Sequence, residues 1–293
     1  MHRFGAACLI FLLPSLVQAQ VSAVPVGPPA PSQRADGKAA VPGQHALEAS
    51  DLESFFDGIV PLQLERSDIA GASVMVIQNG QVLLRKGYGY ADLKNKRPVD
   101  PAATIFRLAS ISKLFTWVSV MQLVEQGKLD LDTDVNRYLD FQIRPAFSQP
   151  VTLRNLMTHT GGFEEEIRDI IVTDPKLAVP LRDFLVHNQP QRLFPPGTIP
   201  AYSNYGVGIA GYIVQRVSGQ PFEQYVEQHI FTPLKMEHST FYQPPPTLLR
   251  RLPSEGYPTD TEKPPLALKF STRCPREESP RPLRIWAASA RPF

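Results

Sequence analysis

Ser110 and Lys113 stand three residues apart in Leu108-Ala-Ser-Ile-Ser-Lys-Leu-Phe-Thr116. On a helix that spacing puts both side chains on one face, about one turn apart. Serine is a poor nucleophile until a neighbour takes its proton. A lysine whose ammonium is partly desolvated can give up its charge and take that proton, or help a second base to do so. The pair therefore points to nucleophilic chemistry at the Ser110 hydroxyl. The four-residue pattern is weak alone, since an exposed helix carries a Ser and a Lys by chance just as easily.

Tyr202-Ser-Asn204 is the second group with chemical capacity. A tyrosine beside a serine and a lysine can carry a proton between them. The Asn204 amide offers one donor and one acceptor side, suited to a substrate amide. Alone, Tyr-x-Asn also reads as a helix-start turn with an Asn cap. His159, in His159-Thr-Gly-Gly162, reads as a structural residue. Glu164-Glu-Glu166 reads as a solvated run rather than an acid/base pair, with the mouth of a site as the alternative. The six histidines show no metal-ligand spacing, so zinc and other cofactors are not expected. No Gly-x-Ser-x-Gly is present, which argues against an α/β-hydrolase.

Several elements must position these residues. The chain is expected to become ordered near Ala46. Leu47, Leu52, Phe55, Phe56, Ile59, Leu62 and Leu64 recur at roughly helical spacing, with Ser50 as N-cap and Glu53 completing a capping box. Two β-rich runs, 71–78 and 81–90, flank Asn79-Gly80 and predict a hairpin. The first run is almost continuously apolar and predicts cover on both faces. A helix starting at or just before Ser110 turns Ile111, Leu114, Phe115, Val118, Met121 and Val124 inward and stops at Gly127. Its N-terminal dipole end would face whatever reacts at Ser110. Thr152 caps a short helix that ends at His159. The rigid loop Phe194-Pro-Pro-Gly-Thr-Ile-Pro200 leads to Tyr202, followed by helices over 205–217 and 221–230.

The bulk properties set bounds. With 293 residues the chain can bury a sizeable core. Thirty basic and twenty-eight acidic side chains give a net charge of +2 and no basic block, so no nucleic acid partner is expected. Residues 1–19 read as a signal peptide: a basic start at His2-Arg3, an apolar stretch to Val17, and Val17-Gln-Ala19 as the cleavage site. A periplasmic or secreted location follows. The stretch is too short to span a bilayer, and no stable membrane span is expected elsewhere. Removal of Cys8 would leave Cys274 alone, too few for an internal disulfide. Residues 20–45, rich in Ala, Pro, Val and Gly, read as a disordered linker. The folded region is expected over 46–242. Residues 243–293, dense in Pro and Arg, read as a disordered or frameshifted tail.

Taken in order, Ser-x-x-Lys, His-Thr-Gly-Gly, Pro-Pro-Gly with Tyr-Ser-Asn, and Ile230-Phe-Thr-Pro-Leu-Lys-Met236 resemble the serine β-lactamase and penicillin-binding-protein superfamily. They are most similar to the branch of class C β-lactamases, D,D-peptidases, D-aminopeptidases and family VIII esterases. The resemblance runs from about residue 50 to 242. It implies an α/β (α+β) fold, an antiparallel sheet flanked by helices with a mostly helical region beside it. It also implies acyl transfer on a small-molecule or peptide substrate. By the same resemblance Ser110 is the acylated nucleophile, Lys113 its activating partner and Tyr202 the proton shuttle. Asn204 orients the substrate's acyl side chain, and the Ser110 backbone N–H is one oxyanion donor. One element departs from the pattern: no Lys-x-Gly or His-x-Gly follows Asn204. The strand carrying it, with its second oxyanion donor, and the remaining C-terminal strands are expected to be missing through a frameshift or early stop near Phe270. Weak or absent activity would follow. Oligomeric state stays open.

Overall fold

The computed structural model describes residues 46–166, 179–243, 245–250, 252–257, 261 and 264–266, and the backbone of 171–172, 270–271 and 286–287. The leader and linker expected over 1–45 lie outside the described residues, as does most of 243–293. Among the described residues no helix is long and apolar enough to cross a membrane.

The order of elements is α1 (Ala49–Arg66), β1 (Gly71–Gln78), β2 (Gln81–Asp92), β3 (Arg97–Pro98), β4 (Phe106–Arg107), α2 (Lys113–Glu125), α3 (Leu153–Met157), β5 (Ile171–Val172), α4 (Leu181–His187), α5 (Asn204–Ser218), α6 (Phe222–Val226), β6 (Ser239–Thr240), β7 (Phe270–Ser271) and β8 (Trp286–Ala287). β1 and β2 form the expected hairpin, with Gln78 opposite Gln81. Asn79 and Gly80 both have positive φ, 52° and 76°. That is the two-residue turn whose twist matches the strands. α1 packs on β2. It begins at Ala49 with Glu48 as N-cap, so Ser50 sits inside the helix rather than capping it.

The larger core lies among the helices. Val120 and Leu123 of α2, Leu153 and Leu156 of α3, Leu181 and Leu185 of α4, and Ile209 and Ile213 of α5 are all buried. Phe222 and Tyr225 of α6 join them. α2 packs against α5. Thr116 and Ser119 on α2 are buried, and small side chains there suit close approach of the helix axes. Gly208 and Gly211 on α5 face Leu185 and Phe222.

Three expectations change. First, Ile111, Leu114, Val118 and Met121 do not point inward: they are 59%, 60%, 44% and 43% exposed. α2 is apolar on more than one side, so its spacing did not select the stripe that meets α5. Second, no residue of β1 is fully buried, so among the described residues the cover on its two faces is partial; Leu84, Tyr88 and Ala91 of β2 are the buried hairpin residues. Third, ordered packing continues past Tyr242. Leu249 is buried with Ile105, with Leu252 packed against them. The Ile105 and Glu255 N–H groups donate to the Leu252 and Ala91 carbonyls at 3.0 and 2.8 Å. Strands also occur in the segment where none was expected: β8 pairs antiparallel with both β4 and β6, and β7 with β5. These pairings are made by backbone, which a Pro- and Arg-rich composition does not reveal.

Candidate active site

Ser110 lies in a 3-10 turn, Ala109–Ser112, that runs directly into α2. Ala109, just before it, has φ 47°. A non-glycine residue in that region is held there against its own preference, a feature that gathers at functional sites. The turn keeps Ser110 and Lys113 on one face: Lys113 Nζ donates to Ser110 Oγ at 3.1 Å.

Tyr202 arrives from 92 residues further along the chain, its Oη 2.7 Å from Ser110 Oγ. Its delivery is a matter of backbone pairing. Residues 191–201 run beside 159–164, with Glu164 N–H donating to Gln191 O, Leu193 to Gly162, Gly197 to Thr160 and Ala201 to His159. Gly162 makes this possible. Its φ is 76°, and a Cβ there would run into the Phe194 carbonyl oxygen. A Thr152–Asn155 capping box fixes α3, the helix before this loop.

His159 supports the tyrosine. Its ring lies tilted on the Tyr202 ring, centroids 4.6 Å apart, and Trp117 meets its edge at 6.3 Å. The Ser203 N–H donates to His159 Nδ1 at 3.2 Å. An accepting Nδ1 leaves the neutral ring's proton on Nε2. Burial, and then the Lys113 ammonium, hold the imidazole pKa below the ordinary histidine value, with Glu165 opposing.

Asn204 is the first residue of α5, with Ser203 as N-cap accepting from Gly206 N–H. The Glu165 carboxylate binds it twice. Oε2 accepts from the Asn204 backbone N–H at 2.7 Å, and Oε1 accepts from Asn204 Nδ2. A carboxylate only accepts, so the amide orientation is settled: one N–H of Nδ2 is taken, and Oδ1 and the second N–H face other partners. Glu165 was the residue the sequence undervalued. Three consecutive acids resemble a solvated surface, and only the alternative reading, the site's mouth, pointed here.

All four residues named from sequence are thus brought to one place. Ser110 touches Lys113 and Tyr202 directly, Lys113 Nζ stands 4.7 Å from the Tyr202 ring centroid, and Asn204 follows Tyr202 on the same turn. The cluster is open, Tyr202 being 46% exposed. Among the described residues no group of His, Cys, Asp and Glu is placed to hold a metal ion.

Comparison with known proteins agrees in fold and carries the family match past residue 242. The family model described as Beta-lactamase matches residues 56–275. Protein flp of Staphylococcus aureus (strain MW2) is 31% identical over 204 residues, covering 66% of this chain and 39% of flp. The chain therefore spans about two fifths of the length of that curated relative. The octameric penicillin-binding protein homologue from Pyrococcus abyssi superposes with a TM-score of 0.63 at 25% identity, over 83% of this chain and 54% of that one. The β-lactamase/D-alanine carboxypeptidase from Pseudomonas syringae gives 0.64 at 24% identity, over 82% and 62%. The fold is the β-lactamase/transpeptidase-like one, helices with an antiparallel sheet, and the chain belongs to the β-lactamase family.

Proposed function

We propose that this protein is a serine acyl hydrolase working through a Ser110 acyl-enzyme, on a β-lactam, a D-Ala peptide or a small ester. The observation that carries the reading is the double contact at Ser110 Oγ, with Lys113 Nζ at 3.1 Å and Tyr202 Oη at 2.7 Å. In the reactive state the Lys113–Tyr202 pair holds one proton fewer than its two sites can carry. As Ser110 Oγ bonds to the substrate carbonyl carbon, its proton enters that vacancy. The Ser110 backbone N–H offers one donor to the developing oxyanion. The pair then protonates the leaving nitrogen or oxygen as its bond to carbon breaks. A water molecule repeats the sequence, attacking the acyl carbon while its proton enters the pair, and Ser110 leaves with that proton. Asn204 holds the acyl side chain. The names of the structural relatives, a penicillin-binding protein homologue and a β-lactamase/D-alanine carboxypeptidase, support the first two of these substrate classes. We further propose export to the periplasm or medium by residues 1–19, which a mature mass beginning at Gln20 would establish.

A second reading is a binder of cell-wall peptide that does not turn it over. It rests on residues 205–293 containing no Lys-x-Gly or His-x-Gly. Intact mass after incubation with a penicillin and with an activated ester separates the two. An adduct absent from Ser110→Ala supports the acyl-enzyme. A folded chain without adduct from either reagent supports the binder.

A further inference from the structure

We propose that Glu165 sets the charge preference of the acyl side of this site, favouring an acyl group that carries an ammonium and disfavouring one that carries a carboxylate. The inference rests on the Ser110 acyl-enzyme reading. Its physical basis is the double hold of Glu165 on Asn204, through the backbone N–H and Nδ2. The hold has two consequences. Asn204 has one N–H of Nδ2 occupied and its Oδ1 turned away from Glu165, so Oδ1 can accept from a substrate donor. And a carboxylate is fixed next to that acceptor, at the N-terminal end of α5.

The charge is held in place, and among the described residues it has no ion-pair partner within hydrogen-bond reach. Glu164 N–H is tied to Gln191 O at 2.8 Å, and Phe163 bridges to Arg192, so the loop before Glu165 is anchored. Among the described residues Glu165 makes no salt bridge, whereas Lys113 is engaged with Ser110 and the Arg192 guanidinium lies over the Phe147 ring. Glu164 and Glu166 are exposed and add the same sign. A unit charge several ångströms from a ligand charge, at a dielectric between protein and water, is worth on the order of a tenfold rate change.

Three p-nitrophenyl esters with acyl chains of equal length test this: β-alanyl (ammonium), butyryl (neutral) and hemisuccinyl (carboxylate). Acylation of the full chain is followed by intact mass, with Ser110→Ala subtracted. The expected order is β-alanyl, then butyryl, then hemisuccinyl, with about tenfold or more between the ends. Glu165→Gln is expected to bring the end-to-end ratio to within about threefold. A purely structural role would slow all three esters alike and leave the ratio unchanged. Should Glu165→Gln fail to fold, the wild-type ratio must still shrink at high salt, because the site is open to solvent. Equal wild-type rates, a hemisuccinyl preference, or a ratio indifferent to both Glu165→Gln and salt overturns the charge assignment alone. No Ser110-dependent acylation by any ester overturns the acyl-enzyme reading and this proposal with it.

Discussion

Ser110 Oγ and Tyr202 Oη lie 2.7 Å apart although 92 residues separate them in the chain. Lys113 Nζ reaches the same oxygen from one turn away. In the proposed mechanism the three groups act on one proton, so their contributions are not expected to be independent. Tyr202→Phe keeps the ring on His159 and removes only the hydroxyl. Acylation is expected to fall about 10²- to 10⁴-fold, and Lys113→Ala to do the same. The double variant should be little slower than the worse single one. Rates that multiply would show that the two residues act separately. Melting of Tyr202→Phe should shift little, because that side chain is exposed.

His159 links the site to pH. Its folded pKa is lowered, by burial first and the Lys113 charge second. The native state therefore takes up its proton less readily than the unfolded chain, whose value is about 6.5. The stability contributed is present above about pH 6.5 and is lost as pH falls from there through the folded value. The carboxylates with lowered pKa, Asp57, Asp68, Asp92, Asp132 and Asp140, lose theirs only below their ordinary range near 4. His159→Asn replaces the Nδ1 acceptor with Oδ1, and Asn tolerates the φ of 55° at this position. Thermal melts from pH 7 to 5 should be flatter for this variant than for wild type. Parallel slopes would remove the assignment.

Gly162 is the point where the 159–164 loop meets residue 194. Gly162→Ala has to accept a positive φ and displace the Phe194 carbonyl. The expected cost is about 2 kcal/mol or more in urea unfolding. Any chain that folds should also lose acylation, since the shifted segment carries Tyr202. Gly58→Ala, with open space around its Cβ in α1, is the control and should be neutral or mildly stabilising.

The exposed stripe on α2 makes a solubility prediction. Val118→Glu with Met121→Lys places charges where the native side chains are 44% and 43% exposed. Each change should alter stability by no more than about 0.5 kcal/mol. Light scattering should show less self-association, because an apolar face has been broken. A loss above about 2 kcal/mol per site would mean that this face is covered in solution.

Much of the local architecture was legible in the sequence. Asn79-Gly80 specifies its turn because those residues accept positive φ. Thr152 and Asn155 cap a helix through bonds spanning three residues. Ser110 and Lys113 meet because a single helical turn brings them together. Each of these depends on contacts within a few residues, which sequence spacing encodes directly. The tertiary structure alone decided the rest. It chose which apolar stripe of α2 faces α5, since several stripes satisfied the helical period. It carried Tyr202 to Ser110 through backbone pairing between 159–164 and 191–201 that no side-chain pattern announces. It also turned Glu165 from a member of an acidic run into the partner of Asn204. A carboxylate's role depends on which donors the fold places against it, and those donors lie 39 residues away.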